Sequence, residues 1–179
     1  MQENREYEKT QITCSKPEGG DCMAAAEWIE PVMDRTQADI EKVRRFHELG
    51  WSKLTRQEQQ EWKSGLKGAL NVRDLERIEN NIQVMSDYLK LDLVTHCGNV
   101  PDIPDIEYFS HMLSNISAIR EAYCIHGDTP SVPSMPMNDF IKVNHAERIL
   151  HDVYSIFKDN FCYFCGEGLF AGQETGLLL

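Results

Sequence analysis

Long apolar runs are missing from this sequence. Its 179 residues hold nothing near the roughly 20 consecutive apolar residues that cross a bilayer. The opening MQENREYEKT lacks the apolar stretch of a secretion signal. The chain is therefore expected to stay in the cytosol of its producer, or to leave by a route that needs no signal, with no membrane partner. Basic charge is also scarce. Eighteen basic against 29 acidic residues leave a net charge of −11, which repels phosphate backbones and argues against nucleic-acid binding. Catalytic signatures are absent as well: there is no Walker loop, GxGxxG or GxSxG, and Gly65-Leu66-Lys67-Gly68 is too short to cradle a phosphate. His47-Glu48-Leu49-Gly50 opens like a metalloprotease helix but has no second histidine at i+4. His145 and His151 are six apart and share a helical face poorly. Asp34, Asp39 and Glu41 gather at a helix start, where they complement the dipole. No catalytic, cofactor-binding or metal residue is assigned from the sequence. The expectation is a non-enzyme without a cofactor.

What is present is ordinary soluble composition, 41% hydrophobic and 26% charged, on a chain long enough to bury a real core without staples. Six cysteines occur. In a chain of this length without a secretion signal, reduced thiols are the default. Cys162-Tyr163-Phe164-Cys165 has the spacing at which two thiolates share a tetrahedral metal. A structural zinc needs four ligands, and no second CxxC exists; Cys14 and Cys22 fall in a segment without periodicity, and His96-Cys97 are adjacent residues that point apart in regular structure. Packed thiols, a zinc site and a redox pair all remain readings of Cys162 and Cys165.

Residues 1–27, with Lys16-Pro17-Glu18-Gly19-Gly20-Asp21, read as a flexible leader. Met23 is an alternative start. A first helix follows Asp34-Arg35-Thr36, carries Ile40, Val43 and Leu49, and stops at Gly50. Thr55-Arg56-Gln57-Glu58 is a capping box opening a short helix through Trp62, ended by Gly65 and Gly68. A third helix is capped by Asn71 and carries the stripe Leu75, Ile78, Ile82, Met85, Leu89. After Gly98-Asn99-Val100-Pro101, Pro104 leads a fourth helix with Ile106, Phe109, Leu113, Ile116, Ile119 and Tyr123. Beyond a proline-bearing loop, Asn138 caps a fifth with Val143, Ala146, Leu150, Val153 and Phe157. The third and fifth stripes coincide when one is slid 68 positions, which also lays Glu79 on Glu147. An internal duplication would do this, and so would two unrelated amphipathic helices in chance register. Residues 161–179, glycine-rich and ending in three leucines, read as a short β-hairpin or arm that packs on the helices or pairs with another chain. Trp28, Trp51 and Trp62 suggest one shared small core, or an exposed patch. The predicted fold is mainly α, about five helices in a small bundle-like arrangement with that C-terminal arm. It is divided into the leader 1–27, a Trp-rich helical module 28–97, and a second helical module 98–179.

Trp28-Ile29-Glu30-Pro31, Asp34-Arg35-Thr36, Gly50-Trp51, Leu54-Thr55, Trp62, Lys67-Gly68-Ala69, Asp74-Leu75 and Arg77-Ile78-Glu79-Asn80 together resemble a module in tail-region proteins of phages and prophages of Gram-positive bacteria. A looser likeness covers Ile103-Pro104, Met112-Leu113, Asn115-Ile116, Asn144, Glu147, Leu150, Gly166-Glu167 and Phe170-Ala171-Gly172. The resemblance implies a virion structural or tail-assembly role without catalytic residues. The partners would be other tail or baseplate proteins, or further copies of this chain. The place would be the bacterial host cytoplasm during assembly and then the virion tail. The cysteines lie outside the pattern. The alternative is a metal-binding adaptor or regulatory module built on Cys162 and Cys165.

Overall fold

A computed structural model describes residues 26–165. Among them the chain forms five α-helices and no strand: α1 (Gln37–Leu49), a single 3-10 turn (Trp51–Lys53), α2 (Arg56–Ser64), α3 (Val72–Leu89), α4 (Ile106–Ala122) and α5 (Phe140–Cys165). The mainly helical, bundle-like architecture is as expected. Of the expected C-terminal arm, residues 161–165 are the last turn of α5; no glycine lies between Phe140 and Gly166, so nothing there breaks the helix. The rest of the arm, 166–179, and residues 1–25 of the leader lie outside the described residues.

Helix starts are encoded locally. Thr36 with Asp39, Thr55 with Glu58 and Asn71 with Asp74 form three reciprocal capping boxes. Asp105 caps α4 by accepting the N–H of Tyr108 at 2.8 Å. The cap of α5 is Asp139 rather than Asn138: its carboxylate accepts the N–H of Ile141 at 2.9 Å, and its carbonyl takes the N–H groups of Lys142 and Val143. Gly50 and Gly65 close α1 and α2 at φ 72° and 96°, conformations that are cheap only without a Cβ.

Helices α3, α4 and α5 pack pairwise around one apolar core drawn from both sides of position 97. The predicted stripes of α3 and α5 enter it, with Leu89 and Phe157 only half-buried at the ends. In α4 the expected Leu113, Ile116 and Ile119 are buried, with Phe109 and Tyr123 packed partly buried against the core, but Ile106 is 75% exposed and Tyr108 and Met112 take inward places. Two residues are about 200° of helical rotation, so Ile106 and Tyr108 cannot share a face. A second, smaller cluster joins Phe46, Leu54 and Leu66 with Val43, Trp62 and Ala69. Trp51 meets Trp62 there edge to face, centroids 6.2 Å apart. Trp28 does not join them. It stacks on Tyr154 of α5 at 3.9 Å, because the chain ahead of α1 runs along the three-helix core. The lobe of α1 and α2 touches the approach to α3 through Gly68, where a Cβ would stand 2.3 Å from the Asp39 carbonyl oxygen.

Candidate functional site

Residues 26–36 form neither helix nor strand, and such a segment leaves its backbone groups to other partners. Side chains of α3 and α5 do so. Asn81 accepts the Ile29 N–H at 3.0 Å and donates to the Ile29 carbonyl at 2.7 Å. Asn144 treats Arg35 the same way, accepting its N–H at 3.4 Å and donating to its carbonyl at 3.0 Å. Asn80 donates to the Glu27 carbonyl at 2.7 Å. Glu147 accepts the Val32 N–H at 2.9 Å.

This strap delivers Arg35 into the interior, where the residue is 4% exposed. Its guanidinium lies 3.0 Å from Asp74 and 2.9 Å from Glu147, and it also donates to the Val32 carbonyl. Arg77 completes the group, donating to Asp74 at 2.7 Å and in bidentate fashion to Glu147 at 2.9 and 2.8 Å. Two cations thus share two carboxylates. Burial pulls the Arg77 guanidinium down, and the bonds to Glu147 and Asp74 outweigh it, holding the group above its ordinary value. Such buried networks rarely add net stability over an apolar core, but losing one member leaves a charge stranded.

A second polar cluster surrounds Glu79, which is fully buried. One of its oxygens accepts the His96 N–H at 2.9 Å. The other oxygen, the Tyr108 hydroxyl and His111 Nδ1 are buried without a hydrogen-bond partner. The His96 ring lies 5.2 Å from that of Tyr108 and 5.4 Å from that of His111. Burial and then the Glu79 charge push the Tyr108 phenol up. The phenol is therefore held protonated, a hydrogen-bond group rather than a base.

Among the described residues, those singled out from the sequence for metal chemistry do not cluster. Cys162 and Cys165 occupy one turn at the end of α5; their side chains lie outside the description, as do Cys14 and Cys22. Cys97 is exposed, and partial burial with the charges of Glu79 and Asp87 raises its thiol, which disfavours the thiolate a metal needs. His47 lies edge-on to Trp62. His151 stands 3.5 Å from Asp152. Among the described residues no group of three or more His, Cys, Asp or Glu is placed to hold a metal ion, and no helix is long and apolar enough to cross a membrane.

The chain matches no protein-family model, no curated protein and no solved structure. The geometry stands on its own, and it has a pattern. Trp28, Arg35, Asp74, Arg77, Asn80, Asn144 and Glu147, quoted above for the tail-protein resemblance, meet along the strap. The sequence gives Asp74 no role beyond that resemblance and carries no sign of Asn81. The signal available was Glu79 and Glu147: charged residues directly beside core positions, at matching places in two apolar stripes.

Proposed function

We propose that this chain is a non-enzymatic structural or assembly protein of a phage or prophage tail, associated with the tail or baseplate and acting through protein–protein contacts. Its partners are other tail or baseplate proteins and further copies of itself. It works in the bacterial host cytoplasm during assembly and ends in the virion tail. One observation carries the reading. Residues that carry the resemblance to tail-region proteins hold the strap and form the Arg35–Asp74–Arg77–Glu147 network, as a scaffold uses its distinctive residues. Catalysts instead leave theirs facing a pocket.

The test is genetic and physical. Deleting the gene from the phage or prophage that carries it should leave particles with absent or incomplete tails under electron microscopy, and complementation should restore them. Normal infectious particles from the deletion would overturn the proposal. Stoichiometric zinc in protein purified without chelator, lost in Cys162→Ser, would favour the adaptor reading instead.

A further inference from the structure

The most exposed large apolar side chains of the described residues sit together at the start of α4: Ile103 is 88% and Ile106 75% exposed. Ile106 borders an open groove of about 600 Å³, lined also by Phe109, Met135 and Met137. Through Met137 and Asn138 it continues into a smaller hollow of about 180 Å³ beside Ile40 and Leu70. The rim carries carboxylates, with Asp105 and Glu107 on the groove and Asp139 on the hollow. Among the described residues no basic side chain lines the groove, and Arg35, which lines the hollow, is already paired with Asp74 and Glu147. The nearby ammonium of Lys142 is committed to the carbonyls of Ser134 and Pro136, at 2.8 and 2.9 Å. The N-termini of α4 and α5 both point here, but each brings only about half a positive charge, and each is already capped by an aspartate.

An apolar floor inside a negative rim selects its occupant by charge as well as by burial. We propose that this groove docks a cationic amphipathic segment of a partner protein, apolar side chains on Phe109, Met135 and Met137, lysines or arginines against Glu107 and Asp105. The acidic chain as a whole carries −11, so a second copy is the poorer occupant by charge. The proposal rests on the groove and its rim, and not on the tail reading.

The probe is a synthetic helical peptide with leucines along one face and lysines elsewhere, compared with a twin carrying glutamate for every lysine. Binding to the full chain is measured by titration calorimetry at two salt concentrations. The lysine peptide should bind at least tenfold tighter than its twin, and more weakly at high salt. Ile106→Ser should lower its affinity several-fold. Glu107→Gln should lower it about two- to threefold and flatten the salt dependence. Both side chains are exposed, so circular dichroism should show these variants folded. Equal binding of the two peptides, no binding, or lysine-peptide binding that ignores the isoleucine variant would overturn the proposal. So would a dimer in light scattering that the isoleucine variant dissociates, which would assign the groove to a second copy. Binding that rises when Phe170, Leu177, Leu178 and Leu179 become serine would assign it to the chain's own C-terminal segment, and would also overturn it.

Discussion

Glu79 and Glu147 hold equivalent places on α3 and α5, each directly beside a core residue, and each is essentially inaccessible to solvent. Their surroundings differ. Glu147 takes bonds from Arg77 and the strap, with Arg35 paired beside it. Glu79 receives one backbone N–H from His96, and its other oxygen has no partner. The difference lies in what the chain lays over each helix. The strap ahead of α1 carries an arginine into the interior. The segment ahead of α4 brings His96, and the residue 68 positions after Arg35 is the exposed Ile103. The same helical position is thus built into a charge network in one half and left as an isolated polar site in the other.

The largest effect should come from stranding charge in the network. Glu147→Ala leaves two buried guanidinium groups sharing Asp74 and should cost about 3–5 kcal/mol, read by denaturant unfolding. A paired replacement, Arg35→Met with Glu147→Leu, should cost less than the two single changes summed, because each removes the other's stranded charge. Additive losses would mean that the network is not a unit.

Amide replacements sharpen the comparison further. Glu147→Gln weakens charge-assisted bonds to Arg77 and should cost about 1.5–3 kcal/mol. Glu79→Gln keeps an acceptor for the His96 N–H and relieves a desolvated charge, so its change should stay within about 1 kcal/mol. Equal losses at the two positions would break the contrast drawn above.

Next comes the contact between the small lobe and the core. Gly68→Ala drives a Cβ against the Asp39 carbonyl and should cost about 1–3 kcal/mol, as overpacking does. Hydrogen exchange should quicken in α1 and α2 more than in α3 to α5. Uniform quickening would mean that the lobe and the core open together.

The smallest effect concerns pH. Hydrogen bonds from Thr36 hold Asp39 below its ordinary 3.8, and those from Thr55 hold Glu58 below its ordinary 4.5. A lowered carboxyl stabilises the fold above its unfolded value, and that stabilisation disappears as pH falls through the folded value. Thr36→Val/Thr55→Val should therefore melt below the parent at pH 6, with the gap narrowing toward pH 3. A gap independent of pH would show that these carboxylates contribute nothing through their caps.

Helix positions were legible in the sequence because their causes are local. Thr36, Thr55 and Asn71 sit three residues before an acidic partner, Gly50 and Gly65 follow the last turns, and the α3 and α5 stripes keep a helical period. These features need only a few neighbouring residues, and all appear in the structure. Two local readings failed where alternatives were close. Asp139 displaced Asn138 as the α5 cap, and at the start of α4 Tyr108 turned inward in place of Ile106.

Everything that joins distant residues was decided by tertiary structure alone. Trp28 leaves the other two tryptophans for Tyr154 because the strap, with no helix to satisfy its backbone, is drawn onto the amides of Asn81 and Asn144. Arg35, Asp74, Arg77 and Glu147 are spread over more than a hundred positions of sequence and become a site only when α3, α5 and the strap pack. Periodicity reports which face of a helix is apolar. It carries no information about which partner a buried charge will meet, because that depends on which segments the fold lays against that face.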